Sequence, residues 1–130
     1  MNWLNEFKSD WIRRGLTPEA ITYANKFGEY LQKRKLSSSQ LRNVFGEMKQ
    51  IEWQLKKVGT KDIYHRYLLL YPKLAYAAGR QSSEALNDFK KVFEKAYSTI
   101  TNENEFQEYY QNLLAFVEST LAFHKAFGGK

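Results

Sequence analysis

The chain has 130 residues and a formal net charge of +6, with 43% hydrophobic and 26% charged residues, a balance that fits one folded domain and excludes a disordered chain. Three tryptophans, nine tyrosines and nine phenylalanines supply large rings for a small core, while two prolines and seven glycines are too few for the turns of a sandwich or barrel. The lack of cysteine excludes a disulfide framework, a thiolate nucleophile and a cysteine-ligated zinc, and it fits a cytoplasmic setting.

Helical periodicity dominates the chain. Trp3, Leu4, Phe7 and Trp11 fall at helical spacing and predict a short first helix ending near Gly15. Thr17-Pro18-Glu19 is a helix start: a hydroxyl cap, proline at the first helical position, then an acid at the positive end of the dipole. The helix it opens is expected to reach about Lys35, with Ile21, Ala24, Phe27 and Leu31 inward; Lys33-Arg34-Lys35 close it as cations suit a helix C-terminus. Ser37, Ser38 and Ser39 offer caps for a third helix over 39–57, stopped by Gly59. Thr60 or Asp62 caps the next segment, which Pro72 kinks or restarts and Gly79 ends. Ser82 or Ser83 caps a helix with Leu86, Phe89, Phe93, Ala96 and Ile100 on one face. Asn102 or Asn104 caps the last, with Phe106, Tyr110, Leu113, Val117 and Leu121 as its stripe and Gly128-Gly129 as its stop. With no repeat and no linker, residues 1–130 read as a single all-α domain, a compact bundle of five to six helices.

The charge is unevenly placed. Residues 1–66 hold 13 basic and 7 acidic side chains, whereas residues 67–130 hold 7 of each. The surplus in the first half points to an anionic partner, nucleic acid first, then an acidic protein or a membrane surface; solubilising surface lysines are the plainer reading. No stretch approaches the roughly 20 apolar residues of a membrane span. Asn5, Glu6 and Lys8 stand where a signal peptide needs an apolar run. The expectation is a cytoplasmic protein with no membrane partner.

A catalytic site is hard to assemble. The two histidines are His65, with no second histidine at helical metal-binding spacing, and His124, which falls in the apolar stripe of the last helix and reads as a core or interface residue. Glu103, Glu105 and Glu108 crowd a helix start, where anions suit the dipole. Gly79-Arg80 and Gly128-Gly129 are isolated and make no phosphate loop. The expectation is a protein that is not an enzyme, with no metal and no cofactor.

One spacing stands out. At about 100° per residue, Arg42, Lys49 and Lys56 stay within about 40° of one another and about 10 Å apart along one helix, beside an apolar face of Leu41, Val44, Phe45, Met48, Ile51 and Leu55, with Trp53 and Gly46 on the far side. Such a row can meet successive phosphates of a nucleic-acid strand. Lysine stems also cover the rim of a buried face, and Glu52 stands four residues before Lys56 as a local partner. Both readings stay open.

Three segments, 36–45 (LSSSQLRNVF), 70–80 (LYPKLAYAAGR) and 122–129 (AFHKAFGG), together resemble the small subunit of the type III-A CRISPR effector, the Csm complex. The likeness covers about 17–130; residues 1–16 and 58–66 carry no family pattern. The resemblance implies a non-catalytic subunit, acting in antiviral defence, present in several copies stacked along a filament built on guide RNA. It further implies contact with guide RNA, with target RNA, and with the large and backbone subunits. Arg42, Lys73, Arg80 and Lys125 sit inside the matching segments, and Lys49 and Lys56 continue the Arg42 row; these six are the candidate RNA-backbone contacts. Lys73 after a proline and Arg80 after a glycine are equally placed to cap helix carbonyls. Tyr76 and His124 are expected in the core or at a subunit interface. The rival reading is a self-associating helical adaptor whose basic half binds an acidic protein.

Overall fold

A computed structural model describes residues 2–58 and 63–130, and among these residues there is no strand. The helices are α1 (Trp3–Glu6), α2 (Asp10–Arg13), α3 (Pro18–Lys33), α4 (Arg42–Val58), α5 (Ile63–Leu68), α6 (Leu70–Arg80), α7 (Glu84–Tyr97) and α8 (Glu103–Ala126), with a 3-10 turn at Ser38–Gln40. The fold is all-α and compact, and α3, α4, α6, α7 and α8 carry most of its length.

Side-chain caps fall where hydroxyls and amides promised them. Thr17, Ser83 and Asn102 accept from the backbone N–H groups of Ala20, Leu86 and Glu105. Ser37 heads the 3-10 turn in a reciprocal box with Gln40, so α4 proper begins at Arg42 rather than Ser39. Gly59, Thr60 and Asp62, expected as stop and caps, lie outside the described residues.

One element divides where a single helix was expected, and a second divides near Pro72, where a kink or restart was expected. The first helix breaks at Phe7, whose ψ of 132° is extended. The Lys95 ammonium donates to the carbonyls of Leu4 and Phe7 at 2.7 and 2.8 Å, satisfying acceptors the broken helix leaves open. The break turns Phe7, Trp11 and Ile12 into the core together. Farther on, the chain breaks at Leu69, three residues before Pro72. A proline cannot donate to the carbonyl four residues back, and its ring crowds that carbonyl. The carbonyl in question, on Leu68, instead accepts the Tyr97 hydroxyl at 2.8 Å. Pro72 then sits in the first turn of α6, where no amide partner is lost. Gly79, expected to end this run, lies inside α6.

The core is built around the α3–α8 pair. Ala20, Ala24 and Gly28 form a stripe of small residues that lets the backbones approach; a Cβ at Gly28 would stand 2.8 Å from Thr120 O and His124 N. Tyr23, Phe27 and Leu31 bury beside that stripe. Ile21, expected inward, is instead 39% exposed, because the close-packed face is set by the small residues and Ile21 lies about 100° away from Ala20. On α8, Phe106, Tyr110, Leu113 and Val117 are buried and Leu121 half-buried. Two buried phenols find carbonyls, Tyr110 donating to Met48 of α4 and Tyr67 to Tyr97 of α7, at 2.7 and 2.8 Å, whereas the buried Thr120 hydroxyl has no partner among the described residues.

One end of the bundle gathers the C-terminal ends of α3, α6 and α8 with the starts of α4 and α7. Arg34 there pairs with Glu84 at 2.9 Å, Gln40 bonds Gln81 at 2.7 Å, and His124 bonds the Leu36 carbonyl at 2.6 Å.

Candidate nucleic-acid interface

The six candidate cations are all exposed, but the structure distributes them over more than one surface. On α4, Lys49 donates to Glu52 at 3.1 Å and reaches Glu118 of α8 at 3.3 Å. Hydrogen bonds to Glu52 first, then Glu118, raise the Lys49 pKa above the ordinary lysine value. Lys56 approaches the other oxygen of Glu52 at 4.0 Å. Two cations of the α4 row therefore converge on one half-buried carboxylate. Arg42 has no carboxylate at salt-bridge distance among the described residues, and the same holds for Lys125 on the last turn of α8.

Lys73 and Arg80 share a different place. They stand along the outer face of α6, over a groove of about 700 Å³ between α4 and α6, whose opposite wall carries Gln40, Asn43 and Glu47. Glu47 is the carboxylate in this wall; Arg66 holds it at 2.9 Å through Nε, and Lys73 reaches it at 3.9 Å. Arg80 lays its guanidinium over the Tyr76 ring, 5.6 Å from the centroid. Tyr76 itself, expected among apolar neighbours, is 68% exposed, so it is not a core residue. Leu70 and Leu74 take the buried face of α6 instead.

The basic run at the end of α3 is partly engaged in the fold. Lys33 meets Glu29 at 3.6 Å, and Arg34 pairs with Glu84 and covers the Tyr30 ring. Lys35 has a positive φ of 67°, a left-handed conformation that a side chain adopts at a cost.

The groups weighed for chemistry have structural partners. Glu105 accepts from the Thr101 N–H and hydroxyl at 2.8 and 2.6 Å, which lowers its pKa below the usual carboxylate value. His124 is buried on the last turn of α8, and its Nε2 contacts the Leu36 carbonyl. Among the described residues, no three His, Asp or Glu side chains come together as a metal site, and no helix is long and apolar enough to cross a membrane.

Sequence reasoning missed Tyr76 as a surface group and Gln40 and Asn43 as groove residues. The available signal was their position: all three lie within the segments 36–45 and 70–80, which form the two walls of the groove. The third segment, 122–129, packs behind the first through His124 and Leu36.

Fold and surface together define an all-α bundle that presents cations and an exposed ring along a groove between two helices. The chain belongs to the Csm2 Type III-A family, which matches residues 17–130, and so is a small subunit of the multi-subunit type III-A CRISPR effector, the Csm complex. The match runs through 58–66, where the sequence showed no pattern, and leaves out 1–16. Comparison with the curated proteins and with the solved structures finds no match.

Proposed function

We propose that this subunit is non-catalytic and lines the path of target RNA in the cytoplasmic Csm complex, several copies stacking along a filament of guide RNA and backbone subunits. The observation that carries this reading is the groove between the two family segments, with Lys73 and Arg80 on its rim. Its carboxylate, Glu47, is already held by Arg66, so the groove does not repel an anion. Arg42 and Lys125, without carboxylate partners among the described residues, extend the phosphate contacts; Lys49 and Lys56 serve the fold through Glu52. Phosphate contacts carry no sequence information, which suits a protein whose target is chosen by guide–target pairing.

Affinity purification from the native host, followed by RNA extraction, tests the reading. It expects a ladder of guide RNAs and the sister subunits, both lost after nuclease treatment or retained only with protected RNA. Recovery of one acidic protein, indifferent to nuclease, would contradict it. So would RNA hydrolysis that co-purifies with the folded chain and disappears on a single carboxylate substitution.

A further inference from the structure

We propose that Tyr76 is a stacking platform for one base of a single-stranded RNA whose phosphates pass Lys73 and Arg80; this rests on the RNA-lining reading and adds a contact to the base. Tyr76 is 68% exposed although it lies mid-helix, and the core side of α6 is complete without it through Leu70 and Leu74. A large ring held in water beside a groove is available for stacking, since every base has a π-face and a tyrosine loses little rotamer freedom on binding. Arg80 sits over that ring, 5.6 Å from its centroid, which orients the phenol and sets a cation next to it.

Gly79 is the independent observation. A Cβ there would meet nothing within 4 Å, so no packing inside the chain calls for glycine. Glycine inside a helix is unfavourable by about 1 kcal/mol relative to alanine. Glycine beside Tyr76 and Arg80 leaves bare backbone where something from outside can approach closely, as Gly46 does on α4, where no such ring and cation adjoin it in the groove lining. Charge selects that visitor. Lys73 and Arg80 flank the ring, the facing wall offers the amide of Asn43, and Glu47 is engaged by Arg66. With cations on its rim and Val44, Leu69, Pro72 and Ala77 in its lining, the groove suits a strand that brings phosphates to the rim and base faces to the ring.

The test uses the full-length chain and an oligoribonucleotide in which every third base is 2-aminopurine. Parent and Tyr76→Phe are expected to quench the probe on binding. Tyr76→Leu is expected to bind about tenfold more weakly, without quenching, and with an unchanged salt slope, because the phosphate contacts remain. Circular dichroism should show all three equally helical. If Tyr76→Leu binds and quenches like the parent while Lys73→Gln with Arg80→Gln lowers the slope, stacking is wrong and the RNA-lining reading survives. If no variant binds RNA, even in assembled complexes, both fall. If Tyr76→Leu loses incorporation into the complex at unchanged RNA affinity, the ring is a subunit contact and the proposal is overturned.

Discussion

Gly129 lies against the imidazole of His124, so closely that any side chain at 129 would overlap the ring. The ring is fixed from its other edge: Nε2 stands 2.6 Å from the Leu36 carbonyl, which only accepts, so Nε2 carries the proton. Gly128, at φ 96°, turns the chain into place, with Gly128 N–H to Lys125 O and Gly129 N–H to His124 O closing α8. Ser38 then donates to the Lys130 carbonyl. The segment 122–129 is thereby a clip that seats the C-terminus on the segment that opens α4.

Breaking the clip should cost stability. Gly129→Ala is expected to destabilise by about 1–3 kcal/mol, since the ring it would displace is both buried and hydrogen-bonded. His124→Ala should lose at least as much, leaving the Leu36 carbonyl without a donor. Urea unfolding measures both, and Lys125→Ala, on an exposed position between them, should be within about 0.5 kcal/mol of the parent.

The same end geometry occurs on α3 with a different residue. Leu36 N–H bonds Leu31 O and Lys35 N–H bonds Gln32 O, but the left-handed position that is Gly128 on α8 is Lys35 here. Lys35→Gly removes the strain of a Cβ at φ 67° and should stabilise by about 0.5–1 kcal/mol after the added freedom of the unfolded chain is set against it. Thermal unfolding reads this directly as a raised midpoint. A lowered midpoint would mean that the lysine stem packs.

Much of this molecule is legible in its sequence. Caps read correctly at Thr17, Ser83 and Asn102 because a hydroxyl or amide followed by free N–H groups is a local event. The stripes of α7 and α8 read correctly because large apolar residues dominate them. Ile21 misled because hydrophobicity ranks it above Ala20 and Gly28, whereas the helix pair is decided by how closely two backbones can approach. The ion pair of Lys49 was illegible for another reason: Glu118, its partner, is 69 residues away, and no spacing rule along α4 reveals a carboxylate from α8. Tyr76 sits among alanines and leucines in the sequence, yet which side of α6 faces water depends on the break at Leu69.

Three buried phenols set an alkaline limit. Burial pushes the hydroxyls of Tyr23, Tyr67 and Tyr110 well above the ordinary tyrosine range, and each donates to a carbonyl, of Trp3, Tyr97 and Met48 respectively. Unfolded tyrosines ionise near 10, so above that pH the native state holds more protons than the unfolded one. The stabilisation is therefore complete below pH 10 and falls as pH rises past it, by about 1.4 kcal/mol per pH unit for each of the three. Absorbance at the phenolate band should show these three of the nine tyrosines titrating only as the chain unfolds. Reversible titration of all nine in the folded state would refute their burial.

The most direct test of RNA contact by the α4–α6 groove is the salt dependence of target-RNA binding by assembled Csm complexes of equal subunit composition. Lys73→Gln with Arg80→Gln is compared with Lys49→Gln with Lys56→Gln. At about 0.7 slope units per single-strand phosphate contact, the groove pair should lower the slope by about 1.4 for each engaged copy. The flank pair should change it less, because Lys49 is held by both Glu52 and Glu118, whereas Lys73 meets Glu47 only at 3.9 Å and Arg80 has no carboxylate partner among the described residues. An unchanged slope for the groove pair, or a fall confined to the flank pair, would contradict the account.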